Sequence, residues 1–375
     1  MTFRKYYIIV FLSCCKIASA QVDYEYFERK TSATKTDTSQ YYVDFFNLNF
    51  MKNNEYYNKI NEGYTLYGNQ IHPKLIYLPN ENIKIEGGLF LLKEFGFDGF
   101  SQVLPTFTLR VDKGPLSLLF GNIDGCLSHK LIEPLYDFEK VFTNPVEYGG
   151  QIKLNTRRFI ADGWMNWEKG IHFNADHLEE LTLGVSTFTY LFKSDKINIS
   201  IPLQAYVAHK GGQIDTVPYP VFTHFNSASG IIFAYQSSNK NAFIQKLETQ
   251  NYFVYNKDWS FTKELPFTEG KGFFTNNSIG FKHGFAIVFQ YWNGNKMIAP
   301  RGGPLYQSID IVNKSYVEKA RKLLLVKLIH EHKLFEFVYL STRFEPYYDL
   351  DNHLWEYGFS VHAIFKQMIP LAVRK

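Results

Sequence analysis

The sequence predicts an all-β fold: a transmembrane antiparallel β-barrel of about sixteen strands, with fourteen as the alternative. The first observation behind this is alternation over an unusual length. In Trp355–Lys366, Trp355, Tyr357, Phe359, Val361, Ala363 and Phe365 share one face. Glu356, Gly358, Ser360, His362, Ile364 and Lys366 share the other. Strand side chains alternate between faces. Soluble strands usually run about five or six residues, whereas a tilted strand needs roughly ten to cross a bilayer. The second observation is aromatic content, 18% with 35 Phe and 26 Tyr, which suits the aromatic girdles of such barrels. The third is the rhythm of connections, short and long in turn.

Along the chain, residues 1–20 read as a secretory signal. Arg4 and Lys5 form a positive start, Tyr6 to Cys15 an apolar run, and Ala18-Ser19-Ala20 a cleavage site. Leu12-Ser13-Cys14-Cys15 matches a lipoprotein signal poorly, because Cys14 stands where a small residue should. Residues 21–40 are polar and predict a flexible lead-in. The net charge of +4 falls to about +1 once Arg4, Lys5 and Lys16 leave with the leader, which points away from a nucleic-acid partner. Cys126 is the one cysteine outside the leader, so no intrachain disulfide framework is expected. No later segment is long and apolar enough for a transmembrane helix.

The barrel is expected over 41–366. Residues 41–50 (Tyr42, Asp44, Phe46, Leu48, Phe50) alternate poorly and are a strand only if the count is sixteen. Clearer strands follow. Ile71, Leu75 and Tyr77 oppose Gln70, His72 and Lys74; Ile83, Ile85, Leu89 and Leu91 oppose Lys84 and Glu86. Phe107, Leu109 and Val111 oppose Thr106, Thr108 and Arg110; Ala161, Met165 and Trp167 oppose Asp162, Asn166 and Glu168. Leu181, Leu183 and Val185 oppose Glu180, Thr182 and Ser186; Ile197, Ile199, Ile201, Leu203, Ala205 and Val207 oppose Lys196, Asn198, Ser200, Gln204 and Tyr206. Short turns are expected at 80–82, 113–114, 155–157, 194–196, 237–241, 282–284 and 331–333. Longer connections lie near 51–68, 94–101, 124–147, 169–177, 210–221, 257–270, 294–318 and 346–352. Outer-membrane barrels pair short periplasmic turns with longer extracellular loops. A short tail, 367–375, follows.

The leader, the alternation from about 70 to 366 and the loop rhythm together resemble the porin-type outer-membrane β-barrels of Gram-negative bacteria. The resemblance is one of architecture and says nothing about a particular solute. It implies an outer-membrane location, lipid and small solutes as partners, and a third extracellular loop, 124–147, that folds inward as a constriction through Glu133, Asp137, Glu139 and Lys140. Lys84, Glu86, Arg110, Asp162, Glu168, Lys196 and Glu356 then read as pore-lining, since a wet lumen tolerates charge and a lipid face does not. Paired charges that block the lumen are the other reading.

The expected function is passive diffusion of small solutes or ions, with a non-conducting receptor or binding platform as the alternative and a soluble β-sandwich behind both. A homo-oligomer is compatible with either barrel reading. No G-x-S-x-G elbow occurs, so the expectation is a barrel without catalysis. No cofactor or metal is expected. His330-Glu331-His332 lacks further ligands at the right spacing and reads as a solvated turn, and the glycines of Ala208–Gly212 and Arg301–Pro304 read as ordinary turns.

Overall fold

The computed structural model describes residues 26–28, 40–212, 214–215, 217–310 and 315–371. The leader, most of the expected lead-in and the last four residues lie outside these. The strands are β1 Gln40–Glu55, β2 Thr65–Asn80, β3 Ile83–Glu94, β4 Gln102–Lys113, β5 Leu116–Asn122, β6 Tyr148–Asn155, β7 Phe159–Lys169 and β8 Glu180–Lys193. They continue as β9 Ile197–Lys210, β10 Phe222–Gln236, β11 Ile244–Asp258, β12 Glu269–Phe281, β13 Phe285–Asn295, β14 Ala320–Phe335, β15 Val338–Asp349 and β16 Leu354–Leu371. All neighbours are antiparallel, and β1 pairs β16 from Tyr41↔Leu371 to Glu55↔Tyr357, closing a sixteen-strand barrel. Closure removes the free edges that β1 and β16 would otherwise present.

The wall faces outward with its apolar residues. On β16, Trp355, Tyr357 and Val361 are exposed while Glu356, Ser360 and His362 are buried. The same holds for exposed Leu89, Phe107, Leu203, Phe289 and Leu324. An oily exterior around a polar interior is the arrangement that lipid demands. Tyr41 stacks on Tyr77 at one end of the wall, and Tyr67 packs against Phe95 at the other. Met51, the cross-strand partner of Tyr67, lies ten residues along β1 from Tyr41. At a tilt near 40° that is about 25 Å of height, the thickness of the apolar band.

Three boundaries differ from expectation. β14 runs through 331–333 to Phe335, so His330 and His332 lie on its outer face, and His330 stacks on Phe285. β16 continues to Leu371, where Ile369 and Leu371 pair with β1, so residues 367–371 belong to the wall. Phe27, expected in a flexible segment, is 3% exposed inside the barrel, against Phe138 and His362.

One stretch of wall is low. β5 has 7 residues and β6 has 8. Seven residues at that tilt rise roughly 18 Å, short of the apolar band of about 25 Å. Gly121 ends β5 at φ +96, where a Cβ would sit 2.2 Å from the Phe107 carbonyl oxygen. The exposed edge of β4 is covered by side chains. Asn122 Oδ1 accepts the Phe107 N–H at 2.8 Å, and Tyr148 OH donates to the Pro105 carbonyl at 3.3 Å. Pro105 itself presents no N–H. From this low sill the chain turns into the lumen.

Candidate active site and the closed lumen

Among the described residues, two loop segments make up most of the filling, joined by Phe27. The first, between β5 and β6, has one 3-10 turn, Cys126–His129, and one short helix α1, Lys140–Thr143. Ile132, Leu135, Val141 and Phe142 are buried, and Phe142 stacks between Phe50 and His362. The wall grips its backbone. Gln70 Nε2 donates to the Val141 and Phe142 carbonyls, and Gln204 accepts from Ile132 N–H and donates to the Lys130 carbonyl. The second segment, between β13 and β14, buries Met297, Leu305, Tyr306 and Ile309. The two meet where Asp137 N–H donates to the Arg301 carbonyl and Gly303 N–H to the Glu133 carbonyl. The loop expected to be an ordinary turn at Arg301–Pro304 is therefore the joint between them. A Cβ at Gly302 would lie 2.2 Å from the Pro134 carbonyl oxygen. Gly302→Val should destabilise the protein by about 1–3 kcal/mol, read as a lower denaturant midpoint at unchanged slope.

Charges lock the filling in place. Glu139 and Glu133, both expected at a constriction, are tied to the wall through one chain of alternating sign. Lys52 contacts Glu139 at 3.1 Å and Glu345 at 3.3 Å, while Lys327 contacts Glu345 at 3.5 Å and Glu133 at 2.6 Å. Asp137 Oδ1 accepts the Glu139 N–H at 3.0 Å at the start of α1. Burial, reinforced by Glu139, pushes Asp137 up to about 7. Burial, with Arg301 nearby, pushes Lys140 down to about 8.

Apart from Lys196, the expected pore-lining residues each have a charged or hydrogen-bonding partner. Glu86 bonds Lys84 at 2.5 Å and Lys74 at 3.0 Å; Arg110 bonds Asp112 at 3.0 Å and Asp124 at 3.4 Å. Glu168 bonds Arg301 at 2.5 Å. Glu356 accepts from the Asn58 backbone and side chain and from Tyr347, holding the β1–β2 loop. Lys196 is exposed in the β8–β9 turn and lines nothing. A cavity of about 360 Å³ remains on the short-turn side, bordered by Lys84, Glu86, Arg110 and Asp124 and roofed by Cys126 and Ser128.

Asp162 belongs to a latch. His129 Nδ1 meets Asp162 Oδ2 at 3.0 Å, its Nε2 meets Glu147 Oε2 at 3.1 Å, and its ring stacks on Trp164 at 3.7 Å. Burial alone favours the neutral ring, but the two carboxylates outweigh it and hold the His129 pKa above its ordinary value of 6.5. Stabilisation from a raised pKa is complete below the ordinary value and disappears as pH rises through the native one. Protection of the Leu127–Lys130 amides from hydrogen exchange, corrected for intrinsic rates, should therefore fall as pH rises above the ordinary histidine value of 6.5. His129→Gln should flatten that dependence. An equal pH dependence in the variant would separate the latch from His129.

The outer wall carries what the sequence reading missed. The usual alternation is reversed in the middle of β1: Phe46, Leu48 and Phe50 point inward against the filling and Asn47 and Asn49 outward, while Lys52 and Asn54 face inward beyond them and Asn53 and Glu55 outward. The outward groups form a strip with the next two strands. Asn49 Nδ2 donates to Asn47 Oδ1 at 2.8 Å, and Asn69 Nδ2 to Asn49 Oδ1 at 2.6 Å, with Lys93 beside Asn69 on β3. Above the Tyr67–Phe95 girdle, Thr65 Oγ1 donates to Asn53 Oδ1 at 2.5 Å and Asn53 Nδ2 to Glu55 Oε1 at 2.5 Å. Tyr57 OH reaches Glu55 Oε2 at 3.2 Å. A carboxylate, a hydroxyl, amides and an ammonium thus straddle the interface on the long-loop side, on a face that otherwise meets lipid. The poor alternation of 41–50 was the available signal. It was the mark of a locally reversed strand, not of a weak one.

Comparison with solved structures places the fold among outer-membrane barrels. A loop L8 deletion mutant of OmpT from Vibrio cholerae is similar at 11% identity and TM-score 0.54, covering 88% of this chain and 100% of that one. OprD from Pseudomonas aeruginosa is similar at 7% identity and TM-score 0.52, covering 88% and 95%. No curated protein sequence matches. A family model described as Lipid A 3'-O-deacylase-type matches residues 33–373. The expectation of a barrel without catalysis rested on a missing nucleophile elbow, a feature of α/β folds, whereas a barrel wall assembles groups across strands and leaves no contiguous motif. The match overturns that expectation: the chain belongs to the Lipid A 3'-O-deacylase-type family.

Proposed function

We propose that this protein is an outer-membrane hydrolase that removes an ester-linked acyl chain from the lipid A of the outer leaflet, using the outward strip on β1–β3. The outward polar groups of β1, Asn47, Asn49, Asn53 and Glu55, are the observation that carries the reading. Polar groups facing lipid are costly unless something polar meets them. The polar rows bracket the aromatic girdle, where the sugar–acyl ester bonds of such a lipid lie. Glu55, oriented by Asn53 and Tyr57, is the group suited to draw a proton from water. The water oxygen attacks the ester carbonyl carbon, the sugar–oxygen leaving group takes a proton, and a fatty acid and a free sugar hydroxyl result. Each asparagine amide of the strip keeps a second N–H, suited to the developing oxyanion. Lys93 supplies positive charge beside them for the anionic head group. The test is mass spectrometry of lipid A after incubation with the folded protein in detergent. Loss of one 3'-linked hydroxyacyl chain is expected; intact lipid A would sink the reading.

A second reading, passive diffusion, draws on the porin-like fold and the cavity of about 360 Å³. It requires the filling to move, and the paired charges and buried aromatics disfavour that at rest. The wild-type barrel is expected to be silent in a planar bilayer, and stable step-like openings would favour diffusion instead.

A further inference from the structure

Across the barrel from the β1–β3 strip lies a second outward polar group, on β11 and β12. Thr249 pairs across the strands with Asn277, and Asn251 with Thr275. Thr249 Oγ1 donates to Asn277 Oδ1 at 2.6 Å, Asn277 Nδ2 to Thr275 Oγ1 at 3.1 Å, and Asn251 Nδ2 to Thr249 Oγ1 at 3.3 Å. This square sits inside the apolar band, with Phe253 and Phe273 above it and Phe243 and Phe281 below. At similar depth β9 and β14 present Ile201, Leu203, Leu324 and Leu328 to lipid. The internal bonds leave Asn251 Oδ1 without a donor among the described residues and the second N–H of each asparagine unused. Facing hydrocarbon, each such group is costly unless something polar meets it.

We propose that this β11–β12 face is the contact between two copies of the chain. The square is uncharged and far from the interface, which sets it apart from the Glu55 strip and from a lipid head group's chemistry. Asparagine amides both donate and accept, so the surface complements itself about a twofold axis along the membrane normal. That axis sets β11 of one copy against β12 of the other, and brings Asn251 to Thr275 of the second copy. The rim agrees. Lys257 on β11 and Glu269 on β12 are exposed cross-strand partners above the square, so the same axis sets each Lys257 against Glu269 of the second copy. The square's leftover donors and acceptors and the rim charges are then met together.

The test is cross-linking in intact outer membranes with a short bis-maleimide. Cys126 is buried in the lumen, so it does not compete. Asn251→Cys is expected to give a band at twice the protomer mass, and Leu89→Cys on the outer face of β3 is expected to give none. The combined variant Thr249→Val, Asn251→Leu, Thr275→Val and Asn277→Leu should keep heat-modifiable gel mobility and lose the dimer in native mass spectrometry. If that variant fails to fold, the Asn251→Cys result decides alone. A monomer with no cross-link, or a cross-link to a protein of another mass, overturns the proposal. Either outcome is independent of acyl release.

Discussion

Glu55→Gln is expected to lower acyl release about 10²–10⁴-fold, the range attributed to a positioned general base. The glutamine carbonyl can still accept from Asn53, so the strip should keep its shape while losing the group that takes the proton. The fold gives an internal check, because Glu55 lies at the rim of β1 and the variant should retain wild-type heat-modifiable mobility. A pH profile of the residual rate separates the roles. The two profiles should differ in shape if Glu55 takes the proton, and only by a constant factor if it merely positions the lipid. A variant with the wild-type rate and profile would remove Glu55 from the chemistry and leave the strip as a binding surface at most.

Replacing Cys126–Asn144 with a short Gly-Ser linker is expected to turn a silent barrel into one with step-like conductance. The segment occupies the middle of the lumen, and sixteen strands enclose enough width for an aqueous passage once it is empty. A smaller change points the same way. Lys327→Met leaves Glu133 and Glu345 buried without their shared cation, and breaking a buried pair in this manner costs about 3–5 kcal/mol. The variant should flicker open where the wild type does not, and should release the filling to protease sooner. Silence from both proteins, each shown to be folded, would mean that the remaining segment around Met297–Ile309 seals the lumen by itself.

The wall was legible because its rule is local. Lipid outside and polar groups inside impose period two on each strand, and turns at one end are short because nothing there needs reach. That rule placed the long connections and put 124–147 third among them. It failed where the interior stopped being wet. β1 packs Phe46, Leu48 and Phe50 into the same core as Phe27 and Phe142, so the middle of its inner face is apolar and its alternation looks wrong. The short strands β5 and β6 also follow from tertiary demands, since their low sill is where the filling enters.

By itself the sequence determined a closed antiparallel wall of sixteen strands, its inside and outside, and its two unlike ends. The reason is that each strand answers separately to the bilayer. Only the tertiary structure decided that two loops fill the lumen, that most of the expected lining charges find partners inside it, and that Asn53, Glu55, Thr65 and Lys93 share one outer face. Those facts depend on which strands stand side by side and what fills the space between them. Period-two alternation carries no such information, because it fixes a residue's face but not its neighbours.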